Sequence, residues 1–178
     1  KIVSIIGEAL KALAPTTISY GHARCGIAMN RRLKSDKPTG DSYLNSPNPE
    51  GLVDHDVPVL TVTTADNRLS AVVFGYACHN TSMSIKQWHG DYAGHAQAMI
   101  EEAHQGTVAL FMMGCGGDQN AYPRFRPIFS MRHGQSLATA VEAAIDAKPK
   151  PISGPLHIDW QTTRLDYESI PTAADLEE

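Results

Sequence analysis

Two apolar runs, each spilling into a loop of different character, constrain this chain most. Residues 69–77 are apolar at successive positions and lead into Cys78-His79-Asn80-Thr81-Ser82-Met83. Residues 107–113 are equally apolar and lead into Gly114-Cys115-Gly116-Gly117-Asp118-Gln119-Asn120. Short runs without alternation read as strands buried on both faces. Between them, Tyr92, Ala96, Met99, Ile100 and Ala103 recur at helical spacing, predicting a helix over 92–104 with Asp91 as its cap. Strand, helix and strand in that order build a mixed α/β sheet, and such sheets bind ligands beyond the carboxyl ends of their strands. A histidine, an aspartate and a set of flexible backbone amides are thus brought to that edge.

The rest of the pattern extends the same fold. Ile2, Ile5, Ile6, Ala9, Leu10 and Leu13 share a helical face over 2–13, and Pro15 stops that helix. Residues 17–29 read as extended. Residues 30–56, rich in Asn, Pro, Asp, Ser and Gly, lack periodicity and predict a long loop. The β-branched run 57–64, a turn at 65–68 and the run 69–77 predict a hairpin within a larger sheet. A proline-broken loop is expected at 121–129 and a helix over 131–147, ended by Pro149 and Pro151. Residues 155–165 read as a further strand, and 171–178 as a frayed acidic tail. The expected fold class is α/β, a mixed β-sheet flanked by helices in a single domain.

Bulk properties exclude several classes. A net charge of -4 without any Lys/Arg cluster argues against nucleic-acid binding. No apolar stretch approaches the roughly 18 residues of a transmembrane segment. Three cysteines, none in a CxxC pair, are too few for a disulfide framework. The 178 residues suffice for one real core. The chain opens on Lys1 without a signal-peptide layout, so a processed product or an incomplete piece of a larger domain is expected.

Few residues are placed to carry chemistry. His79, just past a strand end, can bind a metal through one nitrogen while a neighbour holds the other; a hydrogen-bonded loop histidine is the plainer alternative. The glycines of 114–120 let backbone N–H groups approach a bound oxyanion or anion; a tight turn needing positive φ is the alternative. Within that loop, Asp118 can orient a base or a ligand, and Asn120 can donate to a carbonyl oxygen. Arg31 can hold a carboxylate or phosphate, or simply be solvated. His89 and His95 lie six apart, a poor ligand spacing, and suit surface or capping roles. His22, His55, His104, His133 and His157 are scattered and read as structural or exposed. Cys78 adjoins His79, but strand neighbours face opposite sides, which disfavours a Cys-His nucleophile. There is no G-x-S-x-G elbow, P-loop or HExxH.

Taken in order, several stretches resemble the N-terminal catalytic domain of the neutral/alkaline (non-lysosomal) ceramidase family, its bacterial ceramidase-like members included. They are Asn30-Arg31-Arg32, Asp56-Val57-Pro58-Val59-Leu60, Tyr76-Ala77-Cys78-His79-Asn80-Thr81-Ser82-Met83, Gly90-Asp91-Tyr92-Ala93-Gly94 and Gly114-Cys115-Gly116-Gly117-Asp118-Gln119-Asn120. The likeness covers residues 1–150, with 151–178 as a trailing strand and tail of the same domain. It implies a zinc-dependent amidase that splits the N-acyl bond of ceramide into fatty acid and sphingosine. In the family, zinc (Zn2+) is held by two histidines, a glutamate and a tyrosine. His79 matches the second histidine; the first lies upstream of the matching stretches and the other two downstream. A secreted or periplasmic location is also implied.

Where the family carries Gly-Asp-x-Ser-Pro-Asn, this chain has Gly117-Asp118-Gln119-Asn120 and no serine. A zinc-bound hydroxide can still attack without a serine, so the departure touches ceramide specificity more than metal-assisted hydrolysis. The resulting expectation makes His79 a metal ligand and Asp118 and Asn120 catalytic. Arg31, Gly116, Gly117 and Gln119 then bind a small-molecule or lipid substrate. Because catalytic zinc usually takes three protein ligands plus water, the chain alone is expected to be inactive unless a homo-oligomer or other local residues complete the set. Two alternatives stand beside this reading: a non-catalytic lipid- or glycan-binding module that keeps the fold, and a hydrolase for a different amide or ester.

Overall fold

The computed structural model describes residues 1–36, 42–166 and 171–174. In chain order the elements are α1 (Ile2–Lys11), β1 (Thr16–Arg24), β2 (Ala28–Asn30), β3 (Arg32–Lys34), β4 (Tyr43–Asn45), β5 (Asp56–Thr64), β6 (Leu69–Tyr76), α2 (Asp91–Ala103), β7 (Val108–Met113), β8 (Gln119–Ala121), α3 (Pro127–Asp146) and β9 (Lys150–Ile152). Five strands form one mixed sheet in the order β7-β6-β5-β1-β9. β6 and β7 run parallel, joined through α2, while the other neighbours are antiparallel. The α/β class with a mixed sheet, the β5–β6 hairpin and the two long helices all follow the sequence pattern.

Strand alternation places the core. Val57 and Val59 of β5, Val72, Phe74 and Tyr76 of β6, and Ala109 of β7 point toward α2 and α3 and are buried. They meet Tyr92, Ala96 and Ile100 of α2 and Leu137, Val141 and Ala144 of α3. Rings pack edge-on in series, Phe74 against Phe111 at 5.5 Å, Phe111 against Tyr92 at 6.0 Å and Tyr92 against Tyr76 at 6.4 Å. Each large apolar side chain so buried contributes about 1.5–3 kcal/mol. The two helices cross closely at Gly134, where an added Cβ would lie 2.8 Å from the Tyr92 carbonyl.

The helices cover one face of the sheet only. On the other, Ile18, Tyr20, Val108, Leu110, Met112 and Ile152 are exposed. The expectation that 107–113 is buried on both faces is therefore corrected. β7 is an edge strand whose inward Ala109 is buried, while Val108, Leu110 and Met112 lie on the uncovered side. The run is apolar throughout because both faces are apolar, not because both are covered. α1 forms where its periodicity predicts, yet none of its residues is buried.

Four further expectations change. The segment 30–56 is not structureless: β3 pairs with β4, and β2, which ends at Asn30, pairs with β8. Residues 37–41 of that segment lie outside the described residues. Asp91 is not the residue before the helix; Gly90 holds that place and Asp91 opens α2. α3 starts at Pro127, where a proline is tolerated in the first turn, so the loop before it is shorter than expected. The strand expected over 155–165 does not form. Leu156, Ile158 and Trp160 alternate as a strand would, but they are exposed and pair with no sheet edge, and the strand at this end is β9. The proposed tail is exposed at 171–174, and its last residues, 175–178, lie outside the described residues.

Candidate functional site

The parallel pair β6 and β7 delivers both loops to one end of the sheet. β6 is fastened there by Tyr76, whose hydroxyl donates to the Cys25 carbonyl at 2.6 Å and accepts from the Ala28 amide at 3.1 Å. Ala77 and Cys78 continue buried, and His79 emerges partly exposed. Its backbone N–H donates to the Gln119 carbonyl at 3.0 Å, and the residue forms a parallel bridge with Asn120. The strand-end histidine and the glycine-rich loop are thus one unit.

The imidazole is oriented by that loop. Nδ1 of His79 lies 2.6 Å from the Gly116 carbonyl, which only accepts, so Nδ1 carries the proton. In the neutral ring Nε2 then presents a bare lone pair, and it has no hydrogen-bond partner among the described residues. Carbonyl-held imidazoles of this kind are the usual form of a metal-binding histidine.

The glycines serve close approach rather than unusual backbone angles. A Cβ on Gly116 would lie 2.6 Å from the Cys78 amide nitrogen, and one on Gly114 would lie 3.2 Å from Ala77 Cα. Among the described residues positive φ occurs at other glycines, Gly106 and Gly154, so this loop turns without it, the Gln119 amide closing on the Gly116 carbonyl at 3.1 Å. Several of its amides are already used. Gly114 N–H donates to Tyr76, Gly116 N–H to Gly114 and Gln119 N–H to Gly116. The amides of Gly117 and Asp118 have no partner among the described residues, and Gly117 is exposed.

The remaining candidates converge on the same loop. Arg31 donates through its backbone to the Asp118 carbonyl at 2.7 Å and through Nε to the Gly117 carbonyl at 3.1 Å. Asp118 accepts from Asn30 Nδ2 at 3.3 Å on one carboxylate oxygen and is partly exposed. Gln119 is buried, its side-chain oxygen accepting from the Asp54 amide at 3.0 Å. Asn120 is fully buried; its Oδ1 accepts from Thr81 and its Nδ2 donates to Asn45 Oδ1. His79, Arg31, Gly116, Gly117, Asp118, Gln119 and Asn120 are all brought together. Within the group His79, Gly117 and Asp118 reach solvent, whereas Gln119 and Asn120 are spent on internal bonds.

Sequence reasoning passed over Asn30. Its Oδ1 accepts from the Arg32 amide at 2.8 Å while its Nδ2 reaches Asp118 and the Leu52 carbonyl. Only its place beside Arg31-Arg32 hinted at this. Asn80 Oδ1 and Ser82 Oγ are buried without a hydrogen-bond partner, although most buried polar atoms have one.

The two buried thiols, Cys25 and Cys78, are not nucleophiles. Cys25, Cys78 and Cys115 are unpaired, and burial pushes the Cys78 thiol up to about 12. Burial also raises the Cys25 thiol. The other histidines behave as side chains of the scaffold or surface. His133 donates to the Pro123 carbonyl at 2.7 Å, His104 meets Glu142 at 2.8 Å, and His22 meets Asp56 at 3.0 Å. His89 and His157 are exposed.

The fit to zinc is therefore specific and partial. His79 is presented as a ligand, but among the described residues no three His, Cys, Asp or Glu side chains gather to hold a metal. No helix among them is long and apolar enough to cross a membrane.

Solved structures share this architecture. The chain superposes on neutral ceramidase from Pseudomonas aeruginosa with a TM-score of 0.69 and 21% identity over 86% of its length. A second structure, a ceramidase complexed with C2, gives 0.68 and 19% over 84%. The chain spans about a quarter of those proteins, 26% and 25%. At such identity the likeness shows the fold. No protein-family model matches the sequence, and no curated protein matches it.

Proposed function

We propose that this chain is the second-histidine portion of a zinc-dependent amidohydrolase that hydrolyses the N-acyl bond of a ceramide-like lipid to a fatty acid and a sphingoid base. The observation that carries the reading is His79, whose Nδ1–H is held by the Gly116 carbonyl so that Nε2 is free to ligate. Agreement with the ceramidase fold over 86% of the chain supports it.

The chain's own residues have distinct parts. His79 supplies one ligand and is fixed in the ligating tautomer. Gly116 orients it. The amides of Gly117 and Asp118, without a partner among the described residues, are the loop's donors for negative charge developing on an acyl carbonyl. Asp118, with one oxygen on Asn30, is the polar side chain of the loop that reaches the substrate. Arg31 holds the loop open through Gly117 and Asp118, while Gln119 and Asn120 lock its far end. When bound, zinc supplies Lewis-acid polarisation and a water of lowered pKa. Glycine-loop serine chemistry is not available, since positions 114–120 contain no serine. The described residues supply one ligand of the set, and on this reading the others come from the whole enzyme, to which the activity belongs.

A second reading is a lipid-binding module with the same fold and no metal. An apolar depression of about 280 Å³ between Tyr20, Leu60, Val73, Met112 and Met113 favours it. Turnover of N-acyl-sphingosine against simple amides and esters, with and without a chelator, separates the readings. Chelator-sensitive hydrolysis of the sphingolipid supports the amidase. Equal turnover of simple esters transfers the reading to another hydrolase. Metal-independent lipid binding without turnover supports the module.

A further inference from the structure

Asp91 is nearly inaccessible, at 3% exposure, and sits at the start of α2 with φ of +50°. Left-handed backbone is uncommon away from glycine, though aspartate tolerates it better than most residues. The preceding Gly90 is required as well, since a Cβ there would lie 2.7 Å from Gly94 Cα. Strain of this kind persists where the surroundings demand it.

What demands it here is the segment that carries His79. One carboxylate oxygen of Asp91 accepts from the Met83 amide at 3.0 Å. The other accepts from the Tyr92 amide at 2.7 Å and from the Ser130 hydroxyl of α3 at 3.3 Å. Next to it, Tyr92 donates its hydroxyl to the Cys78 carbonyl at 2.5 Å. The first turn of α2 therefore grips the chain on both sides of His79, at Cys78 before it and at Met83 after it. Between these points Thr81 donates its amide to the His79 carbonyl at 2.9 Å and its hydroxyl to Asn120. The segment leading into α3 holds the same turn, the Phe125 amide donating to the Ser82 carbonyl.

We infer that Asp91 is a positioning residue for His79: braced by Ser130, its carboxylate holds the 78–83 turn so that Nδ1–H stays on Gly116 and Nε2 points outward. The inference deepens the metal-ligand reading of His79 and rests on it for its functional meaning. Its geometry stands without metal.

The test is metal-free NMR of the 178-residue chain at pH 8, reading the ring nitrogens of His79 and the exchange rate of the Met83 amide. The native chain is expected to show His79 as one neutral tautomer with the proton on Nδ1. Asp91→Asn keeps an acceptor toward Tyr92 and Ser130 but turns an NH2 toward the Met83 N–H. It is expected to give mixed tautomers and loss of Met83 protection. Ser130→Ala, a milder change, is expected to move the same signals in the same direction and keeps the question answerable if Asp91→Asn does not fold. Val141→Ala, which loosens the core away from this turn, is expected to lower stability and leave the tautomer alone. An unchanged tautomer in Asp91→Asn or Ser130→Ala overturns the inference. So does an equal change in Val141→Ala, which would make the effect one of general stability. Failure of the metal reading would show instead in the zinc content of the whole enzyme, which this experiment does not use.

Discussion

His79 and Gly116 lie 37 positions apart and meet at 2.6 Å, ring Nδ1 to backbone carbonyl. That contact joins the two strand-end loops and decides which ring nitrogen is free. It depends on a glycine at 116, because the backbone of Ala77-Cys78 fills the space that a side chain would take.

The two neighbouring glycines therefore differ in what they tolerate. Gly116→Ala forces its Cβ to within 2.6 Å of the Cys78 nitrogen and is expected to destabilise the fold by about 1–3 kcal/mol, with the His79 contact displaced. Gly117→Ala meets nothing within 4 Å and is expected to stay within about 0.5 kcal/mol of the native chain. Urea denaturation of both variants checks the contrast.

Thiol reactivity is expected to follow burial. Cys115 is exposed, while Cys25 and Cys78 are buried with raised thiol pKa values. Iodoacetamide at neutral pH is expected to label Cys115 in the native chain and all three cysteines in denaturant, read by peptide mass mapping.

Alkaline pH is expected to erode stability. Cys78 keeps its proton in the folded chain up to about 12, whereas an unfolded thiol loses it near 9. Between these values the native state binds more protons than the unfolded state, so stability falls as pH rises. Below about 9 the contribution is fully present. Burial raises Tyr76 and Tyr92 in the same sense. Thermal midpoints measured from pH 8 to 11 are expected to decline, and Cys78→Ala is expected to make the decline shallower.

α1 contributes no buried residue to the fold. Removal of residues 1–11 is expected to leave the urea midpoint of the remaining chain unchanged to within about 0.5 kcal/mol of stability. A large loss would mean that the helix covers apolar surface in solution.

Long periodic elements were legible in the sequence because their patterns report packing directly. The 92–104 and 131–147 helices and the 57–77 hairpin all form. Three-residue strands were not legible: β2, β3, β4, β8 and β9 are too short to show a period, and pairing across the chain defines them. Apolarity at 107–113 overstated burial because an uncovered sheet face has the same composition as a covered one. The alternation at 155–165 misled for a related reason, since a strand pattern forms a strand only against an edge. At the site, His79 and the glycine loop stood out by position after apolar runs. The roles of Asn30, Gln119 and Asp91 did not, because each acts through a backbone group distant in sequence or across a turn.

The central claim is that His79 ligates zinc in the whole enzyme. Its most direct test is elemental mass spectrometry of the dialysed whole enzyme and of its His79→Ala variant, with N-acyl-sphingosine hydrolysis followed alongside. The account predicts one zinc per protein in the native enzyme, lost together with hydrolysis in the variant. Undiminished zinc and activity in His79→Ala would contradict it.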